Sequence, residues 1–169
     1  MTQSPEYILG LAITTGGDEL AEVPLLYDDY TTDTQTIKAG GFIYFYGGVQ
    51  IDTPAIPLRL TLGYFEDSVN ASNGSISFSR IPLEVMGLYT SEQHTFGIGP
   101  TYHLSPEFDA SDLGWGTYDV DNALGLALMY EYDLQNNVAL GVRYTNISYD
   151  FGGEDVDGNN IGLLVEIKF

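Results

Sequence analysis

The chain has 169 residues, 44% of them apolar, no cysteine, and 24 acidic against 5 basic side chains for a net charge of −19. The length suits one domain spanning 1–169, and the apolar content excludes a disordered polymer. Without cysteine there is no disulfide framework and no thiolate metal site, no apolar run reaches the roughly eighteen residues of a transmembrane helix, and the scarcity of bases excludes a nucleic-acid partner.

Met1-Thr-Gln-Ser-Pro-Glu6 is polar and lacks the apolar stretch of a signal peptide, so any export signal has been removed, as in a mature chain, or was never there. Period-2 alternation, β-branched and aromatic content, and bounding Gly, Pro, Asn and Asp clusters then predict strands over 7–15, 36–50, 56–65, 76–90, 94–104, 120–134, 138–149 and 159–169. Their connections alternate in length. Long loops fall at 16–35, 66–75, 105–119 and 150–158, and tight turns at Asp52-Thr-Pro-Ala55, Ser91-Glu-Gln93 and Leu134-Gln-Asn-Asn137. Long and short ends on opposite sides mark an up-and-down meander. The four long loops hold sixteen of the acids, Asp18 and Asp155 among them, and no Lys or Arg.

The last strand shows the pattern most plainly: Ile161, Leu163, Val165, Ile167 and Phe169 alternate with Gly162, Leu164, Glu166 and Lys168. Similar alternation recurs about eight times, with no second set of apolar faces large enough to cover the first, so the apolar faces are predicted to meet lipid. The outward set includes Leu9, Leu11, Ile43, Phe45, Leu60, Leu62, Val85, Ile98, Leu126, Leu140 and Val165. Tyr7, Tyr89, Phe96, Tyr132 and Phe169 form an aromatic girdle at one end, Tyr64 and Tyr102 at the other. These features predict an all-β fold: a closed, antiparallel, up-and-down transmembrane barrel of eight strands. Closure follows from the cost of unpaired backbone groups in hydrocarbon, several kcal/mol each. A soluble lipocalin-like barrel would need the reverse arrangement, apolar inside and polar outside.

The inward set is smaller and more polar: Gly10, Ala12, Thr14, Thr61, Gly63, Gly97, Thr101 and Gly141, with Phe42, Tyr44, Tyr46, Met86 and Met129 filling gaps. All five cations, Lys38, Arg59, Arg80, Arg143 and Lys168, fall on the same register, as do Glu84, Glu131 and Glu166. A cation facing lipid at mid-depth costs about 2–4 kcal/mol, whereas one inside pairs and hydrogen-bonds. These eight residues are therefore the candidate lumen charge network, with Arg59, Arg143, Glu84 and Glu166 expected at its centre.

On these strands, acidic loops, short turns and the terminal Phe169 with its alternating apolar residues, the whole chain resembles the small eight-stranded outer-membrane β-barrel proteins of Gram-negative bacteria, the OmpX-like, OmpW-like and OmpA transmembrane-domain group. The resemblance implies a bacterial outer-membrane location, contact with lipopolysaccharide, and Phe169 as the signal read by the outer-membrane insertion machinery. It implies a scaffold rather than a chemistry.

Three smaller motifs bear on function. His103-Leu-Ser105 resembles the His-x-Ser pair of outer-membrane lipid A deacylases, but Pro106 follows where that family carries Asn, and a barrel-end His with a loop-starting Ser is the preferred reading. Asp155-Val-Asp157-Gly-Asn-Asn160 has the oxygen donors of a calcium loop without its spacing, and reads as an Asp/Gly turn. Asn70-Ala-Ser72 and Asn146-Ile-Ser148 match a glycosylation sequon that has no meaning on a bacterial surface. The expectation is a non-enzymatic structural or surface-interaction protein with a side-chain-filled lumen, no cofactor and no metal site, whose acidic loops gather divalent cations weakly. A narrow conduit or carrier for a small ligand is the second reading, and a lipid A-modifying hydrolase a remote third.

Overall fold

A computed structural model describes residues 5–26, 32–53, 55–71, 74–134 and 136–169; Asp28, Asp29, Ser72 and Gln135, assigned above to loops and turns, lie outside these. The strands are β1 (Glu6–Gly16), β2 (Glu19–Leu26), β3 (Thr32–Lys38), β4 (Phe42–Ile51), β5 (Leu58–Ala71), β6 (Gly74–Ser91), β7 (His94–Ala110), β8 (Gly116–Asp119), β9 (Ala123–Asp133), β10 (Val138–Asn146), β11 (Ser148–Asp150), β12 (Asp155–Asp157) and β13 (Asn160–Lys168), with a 3-10 turn at Ser111–Leu113. Eight of them, β1, β4, β5, β6, β7, β9, β10 and β13, pair antiparallel in that order, and β13 pairs back onto β1. The closing seam runs from Ile8 opposite Lys168 to Gly16 opposite Asn160, and the Phe169 N–H donates to the Tyr7 carbonyl at 2.9 Å. Closure leaves no barrel edge to satisfy in hydrocarbon.

Alternation along each strand sorts the side chains as their polarity requires. Leu60, Leu126, Leu140 and Val165 point outward, with Leu124 and Leu163 each 71% exposed to the space that lipid would fill. Thr61, Glu84, Thr101, Glu131, Arg143 and Glu166 point inward and are buried. A lower core of Ile8, Ala12, Tyr44, Tyr46, Phe65, Met86, Leu88, Ala127, Met129 and Leu164 packs around these polar groups.

Above the upper girdle the pattern changes. β5, β6 and β7 continue past Tyr64 and Tyr102 to Ala71, Gly74 and Ala110, and the hairpins β2–β3 and β11–β12 fold beside them. Their inner faces enclose a second core of Ile37, Ala39, Val69, Ile76, Phe78, Ala110, Val120, Ala123, Ile147 and Tyr149, while Ser68, Asn70, Ser77, Glu107 and Asp109 lie on the outer wall. This upper half, apolar inside and polar outside, is built as water-soluble proteins are.

Several element boundaries differ from expectation. The 36–50 strand is two, β3 and β4, separated by a turn at 39–41, and the long 16–35 loop holds the β2–β3 hairpin. The 66–75 and 105–119 segments are largely strand, because their inner faces bury apolar residues in the second core. Strand 138–149 breaks at Ile147, whose N–H is taken by the Asn159 Oδ1 at 2.8 Å. Phe42 faces outward at 54% exposure rather than inward, since at its level Phe65, Arg80 and Tyr44 already fill the lumen.

A phase change in β7 has the largest consequence. Ile81 pairs with Leu104 but Ser79 pairs with Glu107, so β7 carries one extra residue there. Ser105 takes φ of 46° at this bulge and its N–H is satisfied by the Asn122 Oδ1 at 2.8 Å. Below the bulge the odd residues Thr101 and His103 face inward; above it Pro106 and Ala110 are the buried ones.

Candidate functional site

The lumen charges fall into layers. At the short-turn end, the Arg59 guanidinium, contributed by β5, forks onto Glu131 of β9, with Nη1 at 2.7 Å from Oε1 and Nη2 at 3.0 Å from Oε2. The same Nη1 lies 3.0 Å from the Glu166 Oε2 of β13, and Nη2 donates to the Gln50 Oε1 at 3.1 Å. Tyr46 donates its hydroxyl to Glu166 at 3.1 Å, and Lys168 Nζ reaches Glu131 at 3.7 Å and pairs with Asp133. A planar, two-toothed donor suits this task, because one guanidinium satisfies two carboxylates that would otherwise repel in a dry space. Met129 accepts a further Nη1 contact at 3.2 Å.

Higher in the barrel, Arg143 Nη2 lies 2.6 Å from the Glu84 Oε1, and the guanidinium stacks on Tyr44 at 4.5 Å from the ring centroid. Tyr44 and Tyr46 stack on each other at 5.0 Å. The expected four-membered network of Arg59, Arg143, Glu84 and Glu166 is therefore two ion-paired groups, Arg59 with Glu131 and Glu166, and Arg143 with Glu84. The physical cause is register: Glu84 lies opposite Thr101 on the next strand, while Glu131 and Glu166 share the lower level with Arg59.

Arg80 joins neither group. Its guanidinium sits 3.6 Å above the Phe65 ring and 4.7 Å from that of Phe78, and donates to the carbonyls of Gly41 and Phe78 at 3.0 and 3.2 Å. Beside it, His103 Nδ1 lies 2.6 Å from the Tyr149 hydroxyl, and Phe65 meets the imidazole edge-on. This layer of Arg80, Phe65, His103 and Tyr149 joins the lumen to the upper core. Burial raises the Tyr149 phenol above its ordinary value, so it keeps its proton. Alternation puts Phe65 and Phe78 on the same inward register as Arg80, but only the pairing of β5 with β6 sets Phe65 directly opposite it, so a hold by rings and carbonyls instead of a carboxylate was not legible in sequence.

Lys38 departs from expectation. It ends β3, outside the eight barrel strands, half-buried, between Ile37 and Ala39 which turn into the upper core. Its backbone N–H donates to the Asp67 Oδ2 at 2.9 Å. The reason is the turn at 39–41, which separates the phase of β3 from that of β4.

The smaller motifs resolve into structural roles. His103 is buried and bonded to Tyr149, whereas Ser105 is exposed at the bulge, so the two do not form a nucleophile and base. In the 155–160 segment, Asp157 accepts the Asn159 N–H at 2.7 Å and its side-chain amide at 3.0 Å, and Asp18 accepts the Asp157 N–H at 2.9 Å. These oxygens hold a turn, and among the described residues no three His, Cys, Asp or Glu are grouped to take a metal ion.

No protein-family model and no curated protein matches this sequence. Among solved structures, Neisserial surface protein A is similar to it with a TM-score of 0.56 and 13% identity, over 98% of this chain and 97% of that one. Ail, the attachment invasion locus protein of Yersinia pestis, crystallised with the heparin analogue sucrose octasulfate, has a TM-score of 0.54 and 10% identity over 98% of this chain and 97% of its own. The chain has the fold of the small eight-stranded outer-membrane β-barrels. In this barrel the filled lumen lies in the lower half, and the acidic outer wall lies in the upper.

Proposed function

We propose that this outer-membrane-type barrel resides in the bacterial outer membrane as a non-enzymatic surface-interaction protein, with its acidic upper half facing outward. The single observation that carries this reading is the lumen. Arg59, Glu131 and Glu166 are fully or almost fully buried by one another, and Tyr44, Tyr46, Arg143 and Arg80 close the space above them. An eight-stranded barrel is only just wide enough for its own side chains. The barrel then serves as an anchor, and the head supplies the function.

On this reading Phe169, exposed at the β1–β13 seam, is presented to the insertion machinery during assembly, and the girdles sit among lipid and lipopolysaccharide headgroups. Divalent cations gather weakly at the head, through net charge and not through a built site. Planar-bilayer recording of the reconstituted protein tests the proposal. Silent membranes are the expected result. Steady single-channel steps with reproducible selectivity would replace the anchor with a conduit.

A further inference from the structure

The lipid-facing wall of the barrel is not evenly covered. One outward row runs from Gly87 on β6 to Ile98 on β7, Leu128 on β9, Tyr144 on β10, Ile161 on β13 and Thr15 on β1, each directly opposite the next. The row beneath it runs through Tyr89, Phe96, Tyr130, Val142, Leu163 and Ile13 on the same strands. Between the two rows lies an apolar groove of about 880 Å³, walled at its β6 end by the turn residues Ala55, Ile56 and Pro57. A further stretch of about 480 Å³ continues it past Val142 and Ile161 to Thr15 and Phe42. Gly87 deepens the first end: a Cβ placed there would meet only Ile56 at 3.4 Å and the Ile98 carbonyl at 3.9 Å.

The dimensions of this groove select its occupant. Paired strands stand about 4.8 Å apart, so the five steps from β6 to β1 give a length of about 24 Å. Barrel strands tilt by about 35–45°, so a line perpendicular to them climbs the wall. Here it climbs from Tyr89, two residues inside the short-turn end of β6, to Thr15, one residue inside the head end of β1. Rows on one face are about 7 Å apart along the strand, and their side chains take up part of that width. An α-helix, about 10–12 Å across, is too wide to enter, and the wall of a second barrel would bridge the rows without filling the space between them. A single hydrocarbon chain fits. Among the described residues the lining has no charged side chain but Arg143, whose guanidinium is turned to Glu84 in the lumen.

We propose that this groove binds one acyl chain of a glycerophospholipid, laid obliquely along the barrel with its headgroup at the short-turn end. The inference rests on the reading that the barrel stands in a bilayer. Both rows belong to the belt that meets hydrocarbon, so the surrounding medium supplies the occupant. Burial of apolar surface gives no drive inside a bilayer, and the hold comes from dispersion contacts, which a concave wall offers on three sides and a convex one does not. The deeper stretch opens at the short-turn girdle. There the Tyr130 hydroxyl lies 2.9 Å from His94 Nδ1 and the Tyr132 hydroxyl donates to Gln93 at 2.7 Å, a polar margin suited to a lipid ester, while Phe42 bounds the far end.

The test uses the full protein in vesicles of palmitoyl-oleoyl phosphatidylcholine, released in mild detergent and weighed by native mass spectrometry. One phospholipid per chain should stay bound. Val142 borders both stretches and points outward, so Val142→Trp blocks the groove at its middle while Gly87→Leu fills its deep end. Together they should lower retention about tenfold, as the chain loses its packing contacts. Leu62→Trp, at an equally exposed site on β5 outside both rows, should change it less than about twofold. Heat-modifiable migration on gels checks that each variant is folded. A phosphatidylcholine with a nitroxide on its chain gives a second measurement without detergent: its motionally restricted spectral component should be present with the wild type and Leu62→Trp, and lost with the double variant. Retention or restriction unchanged by the double variant would mean ordinary boundary lipid and overturn the site, as would an equal loss from Leu62→Trp. Paired barrels that Val142→Trp separates would overturn it in favour of a protein contact. Loss of the groove with silent planar bilayers would leave the anchored-barrel reading standing; currents would remove that reading without touching lipid retention.

Discussion

At the scale of single residues, the lumen places charges where water is scarce and holds them by close contacts of several kinds. Glu84 and Arg143 depend on each other: the 2.6 Å contact is the only carboxylate pairing of Arg143 among the described residues. Glu84→Ala leaves a buried guanidinium beside Tyr44 and should cost about 3–5 kcal/mol, measured as a shift in urea unfolding in detergent with a matching loss of heat-resistant migration on gels. An unchanged unfolding midpoint would show that water reaches Arg143. Arg80 follows a different rule, since two rings and two carbonyls hold it and a flexible ammonium could not reproduce that flat stack.

At the scale of elements, the Ser105 bulge lets one continuous strand serve two environments. Below it β7 offers Thr101 and His103 to the lumen; above it Pro106, Phe108 and Ala110 pack toward the upper core. A left-handed backbone suits glycine and penalises β-branched residues. Ser105→Gly should therefore leave stability equal or higher, whereas Ser105→Val should lower it by about 1–2 kcal/mol, read by the same urea titration. Deleting Ser105 would remove the extra residue and let Pro106, Phe108 and Ala110 continue the inward phase of Thr101 and His103 without a bulge, so retention of both barrel and head is expected. Pro106 reads in the sequence as the end of a strand, because proline cannot donate to a central ladder. The strand continues through it at the Ser105 bulge, and the Pro106 carbonyl takes the Val120 N–H just past β8.

At the scale of the whole molecule, one barrel crosses from a lipid-facing to a water-facing regime. The same substitution should therefore have opposite outcomes at two heights. Leu126→Arg, on the outer face of the belt, should cost about 2–4 kcal/mol, while Ser77→Arg, on the outer face of the head, should be close to neutral. Unfolding of both variants in lipid vesicles checks this, and equal costs would mean that the belt reaches higher than Tyr64 and Tyr102. Alternation alone made the eight strands, their faces and the inward placement of Arg59, Arg80, Arg143, Glu84, Glu131 and Glu166 legible, because a period of two admits only two orientations and a charge in hydrocarbon decides between them. The final strand, Ile161 to Phe169, carries that logic entirely within itself. The pairing of Arg59 with Glu131, the isolation of Arg143 with Glu84, the stacking of Arg80 and the departure of Lys38 from the barrel were decided only by tertiary structure. Each depends on how far one strand is slid along its neighbour, and on bulges and turns that shift a strand's phase. Such offsets join residues far apart in the chain, as with Tyr46 and Glu166, 120 positions from each other. They leave no local trace in sequence, because many registers satisfy the same alternation and only closure of the whole barrel selects one.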